Sequence, residues 1–141
     1  MAGSYFFANQ AYNANELTIN DQLYLLESQI IHSLAEKGPC VIIGRCADYV
    51  LREHKHTLNV FVHADIEFRK KRAVEHYGIS PKKIEEFLHK QDKHRAHYHS
   101  FYTDQKWKAI ENYDLTIDSS RFGIDASVEM IIAAAKIKSG I

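Results

Sequence analysis

Four arginines and one aspartate in this chain fall at spacings that suit the handling of a phosphate. Arg45 follows Gly44 at the end of the apolar run Cys40-Val41-Ile42-Ile43. A planar guanidinium in that position either grips a phosphate or carboxylate through paired hydrogen bonds or pairs with a nearby acid at the surface. Arg69 and Arg72 lie one helical turn apart with Lys70 and Lys71 between them. That pattern serves multidentate phosphate binding, or simply a solvated basic face. Asp92 and Arg95 continue, by steps of four and three, the stripe begun by Ile84 and Leu88. Charged residues where apolar ones should follow either line a polar pocket or form an exposed ion pair, worth roughly a few tenths of a kcal/mol.

Other chemistries find less support. His89, His94, His97 and His99 crowd one stretch, and His94 and His97 have an i,i+3 spacing compatible with a metal. With no H-E-x-x-H and no carboxylate triad, a solvated helix face is the simpler reading, and no residue is assigned as a metal ligand. No G-x-S-x-G or equivalent points to a nucleophilic serine. Cys46, beside Arg45, is either a thiol of lowered pKa or a small packed side chain. None of the six glycines opens a Walker loop or a dinucleotide fingerprint.

The elements that must position these residues can be read from periodicity. Residues 1–17 are polar-aromatic without a period and read as an arm or loop. Thr18 and Asp21 form a helix N-cap pair, and Ile19, Leu23, Leu26, Ile30 and Leu34 recur at helical spacing up to Gly38-Pro39. Cys40–Gly44 reads as a strand buried on both faces of a parallel sheet, which puts Arg45 just beyond its carboxyl end, where ligands sit in open α/β sheets. A short helix over Ala47–Arg52 and a second strand over Thr57–His63 follow. Asp65 caps a helix that runs to Gly78, and Ser80-Pro81 opens a long helix to about Tyr102. After a turn-rich linker, Tyr113–Asp118 is the third strand. A closing helix, Gly123–Lys138, directs Ile124, Val128, Ile131, Ile132 and Ala135 inward. This order predicts an α/β fold with helices on both faces of a parallel sheet, although three strands are few for one.

Composition sets the outer bounds. The chain has 141 residues, 45% hydrophobic and 26% charged, enough for one globular domain with a core. Lys plus Arg and Asp plus Glu number 18 each, which argues against coating a nucleic acid polymer or an anionic membrane. Between Arg52 and His99 the balance is 11 to 7 in favour of bases, with eight of the nine histidines, as a small anionic ligand or one solvated face would require. No apolar run approaches the ~20 residues of a membrane span, and the start lacks the pattern of a secretory signal. Cys40 and Cys46 are expected to be reduced thiols in a cytoplasmic protein.

Taken in order, these segments resemble the cytidylate kinase-like family of nucleoside monophosphate kinases. The resemblance rests on Gly38 to Asp48, on Phe61-Val62-His63-Ala64 leading to Glu67-Phe68-Arg69-Lys70-Lys71-Arg72, on Asp92-Lys93-His94-Arg95, and on Asn112-Tyr113-Asp114-Leu115 with Asp118-Ser119-Ser120. It spans residues 18 to 138, and it implies a three-layer α/β/α P-loop kinase-like domain over 18–141 with a lid-like helical segment at about 65–102. By the same resemblance Gly44 and Arg45 hold the monophosphate acceptor, Asp92 and Arg95 contact its base and phosphate, and Arg69 and Arg72 clamp the phosphates of ATP. The implied reaction moves the γ-phosphoryl group of ATP, with Mg²⁺, to CMP, dCMP or a similar acceptor.

The sequence departs from the family in two ways. Cys46 stands where cytidylate kinases carry an aspartate. The Gly-rich loop, first strand and first helices that should precede Thr18 are not in this sequence. The expectation is therefore a piece of a longer protein or a shortened reading frame, with Met1 then an internal methionine, and no turnover by this chain alone. The alternative is a non-catalytic nucleotide- or partner-binding remnant that associates, for example as a homodimer, through an unfinished sheet edge. A histidine-rich metal-binding module is the third reading.

Overall fold

Thr18 opens the first helix as its spacing predicts. In the computed structural model, which describes residues 17–140, its Oγ1 accepts the Asp21 N–H and the Asp21 carboxylate accepts the Thr18 N–H, both at 3.2 Å. Helix α1 (Ile19–Lys37) ends at Gly38, whose φ of 142° is open to glycine alone among common residues. The expected N-terminal arm, except Leu17, lies outside the described residues. The remaining elements are α2 (Ala47–Val50), β1 (Val60–His63), α3 (Ile66–Tyr77), α4 (Ile84–Thr103, preceded by a 3₁₀ turn at Pro81–Lys83), β2 (Leu115–Asp118) and α5 (Ser119–Ser139). The chain is α/β, mostly helical with a small parallel sheet, and it divides into two compact units.

The first unit comprises the described residues to Thr57 together with Tyr98–Lys106. Its core holds Tyr24, Ile31, Cys46, Val50 and Leu51, with Ala35, Ile42, Tyr98 and Tyr102 packed against it. The Tyr24 ring lies 4.1 Å from that of Tyr102 and nearly parallel to it, fixing α1 against the end of α4. The buried face of α1 is thus Tyr24, Ser28 and Ile31, while Ile19, Leu23, Leu26, Ile30 and Leu34 are exposed. Helical spacing located the helix but not its inward side, because α1 carries two apolar stripes.

The expected strand at Cys40–Gly44 is not formed. Its residues adopt no regular secondary structure and hydrogen-bond to no neighbouring strand among the described residues, and Val41 and Ile43 are 92% and 90% exposed. Only Ile42 turns to the core. Burial on both faces requires strand partners on both edges and layers on both faces.

The second unit comprises Leu58–His97 and Trp107 onward. Here β1 and β2 pair in parallel, Val60 with Leu115 through His63 with Asp118. Both strands are shorter at their starts than their apolar runs predict. At their carboxyl ends the Ser119 hydroxyl donates to the His63 carbonyl at 3.1 Å and the Ser120 N–H to the Asp118 carboxylate at 3.0 Å. Helix α3 begins where predicted, its Asp65 carboxylate accepting the Phe68 N–H at 2.7 Å. Gly78 ends it.

Helix α5 is interrupted at Gly123, which has a φ of 77° and an extended ψ of 172°. Ser127 is buried on its inward side and Ile131 half-buried, whereas Ile124, Val128, Ile132 and Ala135 are exposed. The expected inward face is therefore rotated. The inward stripe is instead Ser127, Ile131 and Ala134, four and three residues apart, and the Ser127 hydroxyl is satisfied inside by donating to the Gly123 carbonyl at 2.6 Å. No helix among the described residues is long and apolar enough to cross a membrane.

Candidate functional site

The first unit holds Gly44 and Arg45 on a turn of unusual backbone. Gly44, Arg45 and Cys46 are consecutive left-handed residues with φ of 70°, 56° and 56°. For the two that carry a Cβ this costs about 1 kcal/mol or more each, so the surroundings must hold the turn. Cys46 does part of this: its side chain is buried in the core, and burial first, then the charges of Asp48 and Glu27, pushes its thiol up to about 12. The thiol is a packing group, so the reactive-thiolate alternative is set aside. Both cysteines are free.

Arg45 itself points outward, 60% exposed, with its Nε 3.5 Å from Glu27 Oε1. Glu27 is fixed from its other side, where the Tyr98 hydroxyl donates to Oε2 at 3.0 Å. The guanidinium is largely exposed, and its contact with Glu27 is loose. Such a cation can accept an anion without first breaking a tight bond.

The second unit brings together three of the predicted residues. Helix α3 supplies Arg69, and α4 supplies Asp92 and Arg95. Arg69 Nη1 and Nη2 donate to the two Asp92 oxygens at 2.8 Å each, a two-point fork, and Arg95 Nη2 donates to Oδ1 at 2.5 Å. Burial resists the Asp92 charge, but the hydrogen bonds and charges of Arg69 and Arg95 outweigh it and hold its carboxyl below the usual range. Asp92 is thus neither a loose surface acid nor a free pocket wall. It is a half-buried carboxylate around which two guanidiniums are arranged.

Local packing explains why. Ile84 is buried and Leu88 half-buried on the stripe that leads to Asp92, so the inward face of α4 carries the carboxylate toward α3. A second tie joins the same helices, with Lys70 Nζ 2.5 Å from Glu85 and 2.9 Å from Glu67. Arg95 also lies over the Trp107 ring, its Cζ 5.3 Å from the centroid, and Trp107 in turn meets Phe61 of β1 edge-on at 5.4 Å. Arg72, half-buried on α3, makes no ion pair among the described residues and does not join the cluster.

The histidines do not assemble. His99 is turned inward onto Asp48 at 2.9 Å, and no three His, Cys, Asp or Glu side chains among the described residues converge as metal ligands would. Glu27, Asp48, His99 and Trp107 are site neighbours that spacing could not reveal. Their partners lie far away in sequence, 51 residues in the case of Asp48 and His99.

The family described as cytidylate kinase-like matches residues 2–121 of the chain. No curated protein matches it. Among solved structures, that of an uncharacterized protein from Eubacterium ventriosum ATCC 27560 is similar at a TM-score of 0.78 and 29% identity, over 84% of this chain and 74% of that one.

Proposed function

The chain belongs to the cytidylate kinase-like family, and from that premise we propose that it binds a CMP-like nucleoside monophosphate as a phosphoryl acceptor. As a family member it is a kinase-like protein with nucleotides as its class of substrate. The observation that carries the finer reading is Arg45, a 60% exposed guanidinium held only loosely, 3.5 Å from Glu27, on a left-handed turn. Its planar fork suits the oxygens of a phosphate. In this reading Arg45 takes the acceptor phosphate, Arg95 with Asp92 orients the nucleotide, and Arg69 with Arg72 neutralises charge on the donor phosphates. A three-layer P-loop kinase-like fold is the architecture this reading assumes.

Guanidinium donors suit the phosphates of ATP. The residues here do not suit a resident Mg²⁺: both Asp92 oxygens are occupied by arginines, and no set of hard-cation donors converges among the described residues. No step is therefore assigned to the metal. The sequence contains no Walker loop, so we expect CMP binding without ATP-dependent turnover by the 141-residue chain. Thermal unfolding with millimolar CMP should show a raised midpoint, by linkage to the folded state. No rise with CMP, or formation of CDP by the pure chain, would contradict the two halves of this statement respectively.

A second reading, association through an open edge, is favoured by the exposure of Val41 and Ile43 on an apolar segment without a strand partner among the described residues. Sedimentation of the wild type beside Val41→Lys tests it. A dimer abolished by the lysine supports it, and a monomer at all concentrations refutes it.

A further inference from the structure

His99 is only 4% exposed, and both of its ring nitrogens face oxygen. Nε2 is 2.9 Å from the Asp48 carboxylate, and Nδ1 is 3.2 Å from Thr103 Oγ1 and 3.4 Å from the Gln105 carbonyl. Thr103 has already committed its proton to the His99 carbonyl at 2.6 Å, and its oxygen also accepts the Gln105 N–H at 3.2 Å. With those bonds made, the groups facing Nδ1 are acceptors, which favours a hydrogen on Nδ1. A second proton must lie between Nε2 and Asp48, because a bare nitrogen lone pair against a buried carboxylate is repulsive. The geometry fits a buried imidazolium–carboxylate pair. Burial pulls the His99 pKa down, but the hydrogen bond and charge of Asp48 more than offset this and raise it.

Asp48 lies in α2, a helix of four residues and too short to persist by its own hydrogen bonds. It stands three residues after Arg45, directly behind the left-handed run. Apolar contacts of Val50 and Leu51 hold the far end of this segment, and Asp48–His99 is the polar tie at its near end.

We propose that His99 is a proton-dependent positioning residue for Arg45, acting through Asp48 to hold the Gly44–Cys46 turn in its strained form. This rests on the reading of Arg45 as the acceptor-phosphate residue. The groups facing His99 are Asp48 from α2, Thr103 from its own helix and the Gln105 carbonyl from the loop that follows; Asp48 alone among them is charged.

The test combines calorimetric titration of CMP into the full chain from pH 7 to 9 with hydrogen exchange at fixed pH. The lower limit keeps the CMP phosphate in its dianionic form, whose second pKa is about 6. Wild-type affinity should fall at least about fivefold as His99 loses its proton with rising pH. His99→Gln keeps a donor toward Asp48 but cannot titrate, so its affinity should be independent of pH. A pH step that persists in His99→Gln overturns the proton dependence.

Exchange makes the positioning measurable without any ligand. In Asp48→Ala, and more weakly in Asp48→Asn, the Val50 and Leu51 amides, bonded to the Cys46 and Ala47 carbonyls at 2.8 and 2.9 Å, should exchange at least about tenfold faster, while amides of β2 do not change. Unchanged Val50 and Leu51 protection overturns the positioning role. Faster exchange in a protein that binds no CMP at any pH upholds the positioning and overturns the functional reading instead.

Discussion

The two arginine sites of this molecule solve opposite problems. Arg69 and Arg95 are tightly paired: Asp92 accepts three short bonds, two from Arg69 and one from the exposed Arg95, and the cluster ties α3 to α4. Arg45 is loosely held, 3.5 Å from Glu27, and stands on backbone that is itself under strain. The first arrangement contributes to stability and must exchange partners to meet a ligand. The second contributes little to stability and is ready for one. The difference teaches where to look for binding as opposed to scaffolding when both are built from the same side chain.

The comparison breaks most visibly at Asp92. Asp92→Ala leaves two guanidiniums without their shared acceptor and should cost about 2 kcal/mol, read as a lower urea midpoint at unchanged slope. Arg45→Ala, by contrast, should stay within about 0.5 kcal/mol of wild type. Equal losses at the two sites would erase the distinction.

The pH dependence sharpens it. The Asp92 pKa is depressed in the folded protein, so its contribution is fully present above the unfolded value of about 3.9 and is lost as pH falls through the folded one. The stability difference between wild type and Asp92→Asn should therefore be constant from pH 7 to 5 and shrink below about pH 4. A difference that survives to pH 2 would mean that the charge is not what matters.

Arg45→Gly reverses the sign. Glycine relieves the left-handed strain at a φ of 56°, although it also loosens the unfolded chain, so stability should rise slightly, by less than about 1 kcal/mol, while CMP binding is lost. The smallest effect belongs to Arg72→Ala. With no ion pair among the described residues, this variant should leave the thermal midpoint within experimental error.

Much of this contrast was legible before the fold was known. Caps and breakers marked the helices well: Thr18 with Asp21, Asp65 and Gly78 act where local chemistry puts them, whereas Ser80 makes no side-chain cap and Pro81 opens a short 3₁₀ turn ahead of α4. The step from Ile84 through Leu88 to Asp92 singled out the carboxylate because a helix face is a local property.

What failed was everything that depends on neighbours. The run Cys40–Ile43 has the composition of a buried strand, yet pairing decides whether it becomes one, and Val41 and Ile43 remain exposed. The apolar stripes of α1 and α5 were visible, but spacing does not say which of two stripes meets the core. That Arg69 would take Asp92, and His99 take Asp48, could not be read from residues 23 and 51 positions apart. Nor does composition register a left-handed arginine, which is a cost that only the folded surroundings can sustain.

Arg45, rather than the tightly paired cluster or surface charge in general, is proposed as the cation that takes the acceptor phosphate. Calorimetric titration of CMP into wild type, Arg45→Ala and the exposed-arginine control Arg121→Ala tests it most directly. Binding in wild type and in the control, weakened at least about tenfold in Arg45→Ala, is the result this account predicts. Equal affinity in all three proteins, or none in any, would contradict it.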